Sequence, residues 1–440
     1  MKARFFEYMA AWLLLMILAL IVVHAPLTVY VGTHWPAMAL VVKGWKEILL
    51  VLALVILMID ISHRRQWQLF THDVFCWLAA AYGAVHVAAV AWSRGGAQTG
   101  LAGLMIDVRY VLYAVLIYMF LRLYPHYKRS FVRVATFGAV IVLGFALLQL
   151  VLPRDVLIHL GYSESTIAPY LTVDENPDYV RFNSTLRGPN PLGAYAVMVL
   201  GVLAALAVRQ RARINRWSRS RIALFAALSV GAMVALWFSY SRSALLAGLG
   251  TLALVGLVGY GKRLTRRTWY TLAVGTLVVA ALGWAVRDTN FVHNVILHDN
   301  PTTGASIDSN EGHLASLQDG IARAASQPMG AGIGSTGSAS LLGDEPVIIE
   351  NQYLMIAHEV GWLGVVLFAV LYGYMVGRLW QHRRDWLALG IWASGIGLAV
   401  IGLLLPVWAD DTVSLVWWGM AAVVIAKGAN RGTTTNQKTA

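Results

Sequence analysis

The chain has 440 residues, of which 58% are apolar and only 13% charged, with 17 tryptophans and a formal charge of +12. A soluble globular domain carries about 25% charged residues, so this composition excludes a water-soluble enzyme and indicates a polytopic membrane protein. The single cysteine, Cys76, excludes a disulfide framework and a thiolate metal site.

A helix crosses a hydrocarbon core of about 30 Å with roughly 20 apolar residues. Runs of this kind lie at about 8–24, 37–59, 72–92, 103–121, 131–152, 191–208, 222–240, 243–260, 269–286, 351–376, 387–405 and 413–427. The expectation is an all-α fold of about twelve transmembrane helices, both termini cytoplasmic, forming one integral membrane domain over 1–440. The first run follows Lys2 and Arg4 and lacks a small-residue cleavage pattern, so it reads as a retained helix. The polar tail 432–440 reads as disordered.

Cytoplasmic segments of membrane proteins retain Lys and Arg. With the N-terminus inside, most basic residues, including the run from Arg209 to Arg221, fall on the cytoplasmic side. The charge is then a topology signal and a contact for anionic lipid, with no nucleic acid needed to explain it. Lys43, Lys46, Arg94, Arg109, Arg154, Arg181, Arg187, Arg242, Arg287 and Arg323 lie against that rule. Cations near the lipid core are costly unless an anion or a watery cavity meets them, which suggests an outward-facing anionic ligand. Bland readings stand beside it: Arg109 pairs with Asp107 or Asp411, and Lys43 and Lys46 snorkel to the interface.

Two polar connections fall on the outer face, a smaller one at 153–190 and a larger one at 287–350. The smaller ends in RFNSTLRGPNPLGAYA, where Arg181 and Arg187 bracket a turn-rich patch just before a helix N-terminus, an arrangement suited to phosphate. Between the seventh and eighth runs the connection is only YSRSA, which holds Arg242 at the membrane boundary where a guanidinium forks onto phosphate oxygens. In the large connection, Asp308–Ser326 reads as an amphipathic helix with Asp308 as N-cap and Pro328 as its stop. Leu314, Leu317, Ile321, Ala324 and Ala325 form its apolar stripe, with His313 at the edge. Histidine is the usual residue for taking a proton from a hydroxyl, although a lone histidine is more often structural. The following PMGAGIGSTGSAS places Gly330, Gly332, Gly334 and Gly337 where a backbone nest is able to cradle phosphate. Outer carboxylates such as Asp174, Glu175, Asp178, Asp308 and Glu311 lack metal-site spacing, so no metal and no cofactor are expected.

The order RGPNP, SRSA, a His-bearing helix, P-x-G-x-G-x-G and ENQYLMIAHEVGWLG resembles the O-antigen ligase and polymerase family of bacterial envelope glycosyltransferases. The resemblance covers about 180–370 well and the N-terminal spans by topology alone. It implies a GT-C-like transferase in the bacterial inner membrane with a periplasmic active site. His313 would be the catalytic base, and Arg187 and Arg242 would bind the donor pyrophosphate, with Arg181, Arg109 and Lys46 as further donor-binding candidates. Many relatives carry His immediately before the Asn that opens the span after the large loop; here those positions are Glu350 and Asn351. Within the family the expected activity is ligation. A finished glycan moves from undecaprenyl pyrophosphate to a sugar hydroxyl of lipid A-core, inverting and metal-independent. The alternatives are an O-antigen polymerase with the same donor and, from another class, a lipid-linked oligosaccharide flippase or transporter.

Overall fold

Within hydrocarbon each backbone N–H and C=O must bond inside its own segment, which drives the apolar runs into helices. The computed structural model describes residues 2–93, 95–261, 265–290, 292–297 and 309–426. Its long helices are α1 (Lys2–Leu20), α2 (Trp45–Arg64), α3 (Val74–Ala89), α4 (Gly96–Leu123), α5 (Lys128–Leu148), α6 (Pro189–Gln210), α7 (Arg219–Phe238), α8 (Arg242–Tyr260), α9 (Arg266–Ala285), α10 (Ser309–Ser326), α11 (Gln352–Gln381), α12 (Trp386–Ile401) and α13 (Asp411–Ile425). Each apolar run read from the sequence overlaps one of these helices, but the run 37–59 opens as the short elements Pro36–Met38 and Ala39–Lys43 and becomes the long helix only at Trp45. Eight stretches among the described residues are long and apolar enough to cross a membrane, and α12 and α13 are shorter apolar helices. The chain is therefore a multi-pass helical membrane protein. Arg94, Asp308 and the tail 432–440 lie outside the described residues.

The first rod bends for a local reason. Pro26 cannot donate to the carbonyl four residues back and its ring crowds that turn. The helix tightens into a 3-10 turn at Ile21–Val23 before continuing as His24–His34. Side chains from elsewhere bond carbonyls at the bend: Thr412 Oγ1 donates to Ile21 O at 3.1 Å and Thr185 Oγ1 to Val22 O at 2.7 Å. The bend thus anchors the segment before Arg187 and the start of α13.

Small residues let α6 and α12 pack backbone to backbone. A Cβ on Gly390 would lie 2.5 Å from Val202 Cα, and one on Gly201 would lie 3.1 Å from Gly390 O. Around this pair Trp408, Trp417 and Trp418 are fully buried. Trp417 Nε1 donates to Ile391 O at 3.0 Å and the neighbouring Tyr372 OH to Gly395 O at 2.6 Å, both carbonyls of α12. The apolar rings fill the bundle; of the three indoles Trp417 finds a backbone acceptor, whereas Trp408 Nε1 and Trp418 Nε1 are buried without a hydrogen-bond partner among the described residues.

The smaller connection departs from the all-α expectation. It forms an antiparallel hairpin, β1 (Leu171–Val173) with β2 (Asn176–Arg181). Asp174 and Glu175 turn it with φ of 47° and 60°, the left-handed pair that a two-residue hairpin loop requires. The strand β2 delivers Arg181 to the bundle end.

Candidate functional site

Arg181 joins two helix ends. Its Nε donates to Ser239 O at 2.9 Å, just past α7, and its Nη2 to Asn190 Oδ1 at 2.8 Å in the first turn of α6. Burial pushes the Arg181 guanidinium down to about 10, with Asp174 opposing the shift and Arg242 adding to it. Arg187 and Arg242 therefore flank neighbouring helix starts. The α6 N-terminus contributes less to anion binding than its position suggests: the helix begins at Pro189, and Pro191 follows, so of its first three residues only Asn190 carries an N–H. The arginines carry the positive charge there.

Arg187 is exposed, and both its Nη atoms lie 3.4 Å from Ser338 Oγ in the large loop. It borders a cavity of about 300 Å³ whose other polar members are Asn190, Ser338 and Asp410. Asp410 is already engaged as N-cap of α13, accepting from Val413 N at 2.9 Å. Arg242 reaches the other side of the loop, donating through Nη2 to Asn310 Oδ1 at 2.9 Å and through Nη1 to Leu297 O at 3.2 Å.

Asn310 and His313 share the first turns of α10. The stripe expected to be buried is only partly the packed face: Ala324 is buried and Leu317 half-buried, but Leu314 and Ile321 are 55% and 53% exposed, and Gly320, outside the stripe, is buried. A Cβ on Gly320 would lie 3.1 Å from Leu354 Cδ1, so α10 docks on α11 through its small residues. This rotation places His313 and Ser316 against residues 348–350. His313 Nδ1 bonds Glu350 Oε2, and Ser316 Oγ accepts from Glu350 N at 3.2 Å. Hydrogen bonding to Glu350 raises the His313 pKa above its ordinary value against the opposing effects of burial and Arg242. Asn351 fixes the next position, capping α11 through Tyr353 N at 2.9 Å and donating to Leu403 O at 2.7 Å. The departure from the relatives' His thus stands in contact with His313 itself.

The glycine-rich segment has a different use from the expected phosphate nest. Gly334 N and Thr336 N donate to Glu359 Oε1 at 3.0 and 3.3 Å. The protein's own carboxylate occupies those amides. Gly334 has φ +79°, and a Cβ there would lie 2.1 Å from Thr99 O. At Gly361, φ +73° interrupts α11, and Trp362 N donates to Pro328 O at 3.0 Å across the break. The glycines let the loop backbone lie directly against α4 and α11.

Lys46 and Arg109 are placed apart from this cluster, in an ion network at the bend of the first rod. Lys46 Nζ lies 2.9 Å from Asp411 Oδ2 and 3.3 Å from Glu47 Oε1. Arg109 bonds Asp411, donates to Ala409 O at 2.7 Å and lies 3.4 Å from Glu47 Oε1. Of the two pairings open to Arg109, the one with Asp411 forms. His24 Nε2 completes the network at 3.2 Å from Asp411 Oδ2. Among the described residues no three His, Cys, Asp or Glu side chains converge as a metal site.

Sequence reasoning missed Asn310 and Ser338, and singled out Glu350 only as a departure from the family's His, not as the partner of His313. Each is a partner supplied across the loop, and no linear spacing links Glu350 to a histidine 37 residues earlier. No curated protein matches the chain. Residues 227–369, which span the Arg242 hairpin, α10, the glycine-rich segment and the start of α11, match the family model described as O-antigen ligase. Over that segment, about a third of its length, this multi-pass membrane protein is similar to the O-antigen ligase family.

Proposed function

We propose that the protein is the ligase that transfers O-antigen polysaccharide from undecaprenyl pyrophosphate to a sugar hydroxyl of lipid A-core, at the periplasmic face of the inner membrane. The observation that carries this reading is the reach of Arg242 onto the histidine-bearing helix. Arg242 bonds Asn310 one turn before His313, and its charge acts on both His313 and Arg181. The exposed Arg187 borders a cavity that also holds Asn190, the residue bonded by Arg181. A pyrophosphate is already a good leaving group, so neutralising the charge it gains is the principal electrostatic demand of the transfer.

In this reading the acceptor oxygen attacks the anomeric carbon opposite the pyrophosphate and forms the new C–O bond. The anomeric C–O bond to phosphate breaks, its electron pair remaining on the pyrophosphate oxygen beside Arg187 and Arg242. The hydroxyl proton passes to His313 Nε2. One displacement inverts the configuration. Arg181 holds the two arginine-bearing helix starts in register, and Lys46 and Arg109 support the α13 end of the cavity through Asp411.

The test is a strain lacking the protein. It should accumulate polymerised lipid-linked glycan while its lipopolysaccharide remains uncapped, and the purified chain should restore transfer in vitro. Loss of polymerised glycan itself would identify a polymerase instead. Loss of glycan translocation, with no transfer by the purified protein, would identify a transporter.

A further inference from the structure

We propose that Glu350 is the positioning carboxylate of His313, holding the imidazole through Nδ1 so that Nε2 is the atom that takes the acceptor proton. This rests on the assignment of His313 as the base. Three observations carry it. The bond joins His313 Nδ1 to Glu350 Oε2, and among the described residues no hydrogen bond engages Nε2. Both side chains keep access to solvent, His313 at 40% and Glu350 at 34% exposure, so the pair is not a sealed packing contact. The Glu350 backbone is held on both sides, by Ser316 Oγ on its N–H and by the Asn351 cap that opens α11. The carboxylate is therefore presented from a fixed helix start to a histidine on a separate helix.

The consequence is chemical. A carboxylate on Nδ1–H selects the tautomer whose Nε2 lone pair is free and stabilises the imidazolium that forms when the proton arrives. Two charged groups act on His313: Glu350 from the α11 start, which favours the protonated ring, and Arg242 from the α8 start, which disfavours it. Glu350 has the larger influence, so the base is strengthened at the expense of staying protonated to higher pH. Transfer should rise with pH as His313 loses its proton, with a midpoint above the ordinary histidine value.

The test uses the full-length purified protein with lipid-linked glycan donor and lipid A-core acceptor, measuring kcat and donor KM across pH for E350Q, E350D and H313A. Glu350→Gln keeps an oxygen that accepts from Nδ1–H and preserves shape, but removes the charge. Its kcat should fall about ten- to a hundredfold, the scale of loss when a carboxylate that orients a metal-bound histidine is replaced, and its acid limb should move to lower pH while donor KM stays the same. Glu350→Asp retains the charge at shorter reach and should recover part of the rate and the wild-type position of the limb. H313A should be inactive. If E350Q retains the wild-type rate and acid limb while H313A is inactive, Glu350 serves only to dock the helix and the inference falls, with His313 still the base. If H313A remains active, the assignment of His313 falls, and with it this inference. Loss of activity in E350Q accompanied by aggregation is resolved by E350D: a folded E350D with no activity and no recoverable limb also overturns the positioning role.

Discussion

Replacing Arg187 with Lys keeps the charge and removes the fork, which separates recognition of phosphate from simple attraction. Arg187 makes two long contacts, both to Ser338 Oγ at 3.4 Å, and is otherwise exposed beside the cavity. The fold therefore loses little in R187K. A guanidinium presents two parallel N–H groups to phosphate oxygens, whereas an ammonium acts as a point charge. A hydrogen bond to a charged group contributes about 1.5–3 kcal/mol, so losing one arm of a bidentate contact should lower transfer roughly ten- to a hundredfold. The melting midpoint should match the wild type. Arg242→Lys supplies the contrast, because Arg242 also bonds Asn310 and the carbonyl of Leu297. R242K should lose activity to a similar degree and also melt earlier, since α10 loses its tie to the hairpin. Ser338→Ala should stay within about threefold of wild type, the contact it removes being weak at that length. The assay is transfer of lipid-linked glycan to lipid A-core by protein in detergent or nanodiscs, read as a gel shift, with thermal unfolding measured in parallel. An R187K enzyme working at the wild-type rate would refute bidentate recognition and leave Arg187 as a charge at the lipid boundary.

His313→Ala should lower transfer by about 10²- to 10⁴-fold, the usual contribution of a general base, with donor binding retained in a direct binding measurement. Because the His313 pKa is raised in the folded protein, the stabilisation from its contact with Glu350 is fully present below the unfolded histidine pKa. It is lost as pH rises through the folded value, so thermal stability should decline over that interval in wild type and less so in H313A. Asp411→Asn should destabilise the protein on the order of 3 kcal/mol by leaving Lys46 and Arg109 without their shared partner; an unchanged melting midpoint would show that the network is dispensable. EDTA should leave transfer intact, since the arginines are assigned the electrostatic role that a divalent cation fills elsewhere, and loss of activity restored by Mg²⁺ would overturn that assignment.

Local pattern was sufficient for the membrane class and for the approximate position of most long apolar helices among the described residues, because hydrocarbon forces an apolar run to bond internally wherever it lies in the fold. It was also sufficient for α10, whose stop at Pro328 needs only the proline's missing donor. Arg187, Arg242 and His313 stood out as polar side chains with no local reason to be where they are. Tertiary structure decided what meets them. The face that α10 buries followed from Gly320 fitting against Leu354 and from the bonds of Ser316, not from the wider stripe of leucine and isoleucine. The glycine loop turned from a phosphate cradle into a packing joint because Glu359, on another helix, takes its amides. Lys46 and Arg109 acquired Asp411 as their common partner, from a helix hundreds of residues away. Hydrophobic periodicity is a one-dimensional property of the chain, but a charged or hydrogen-bonding group is defined by its nearest partner in space. For His313 that partner is Glu350, brought there by the docking of α10 on the start of α11.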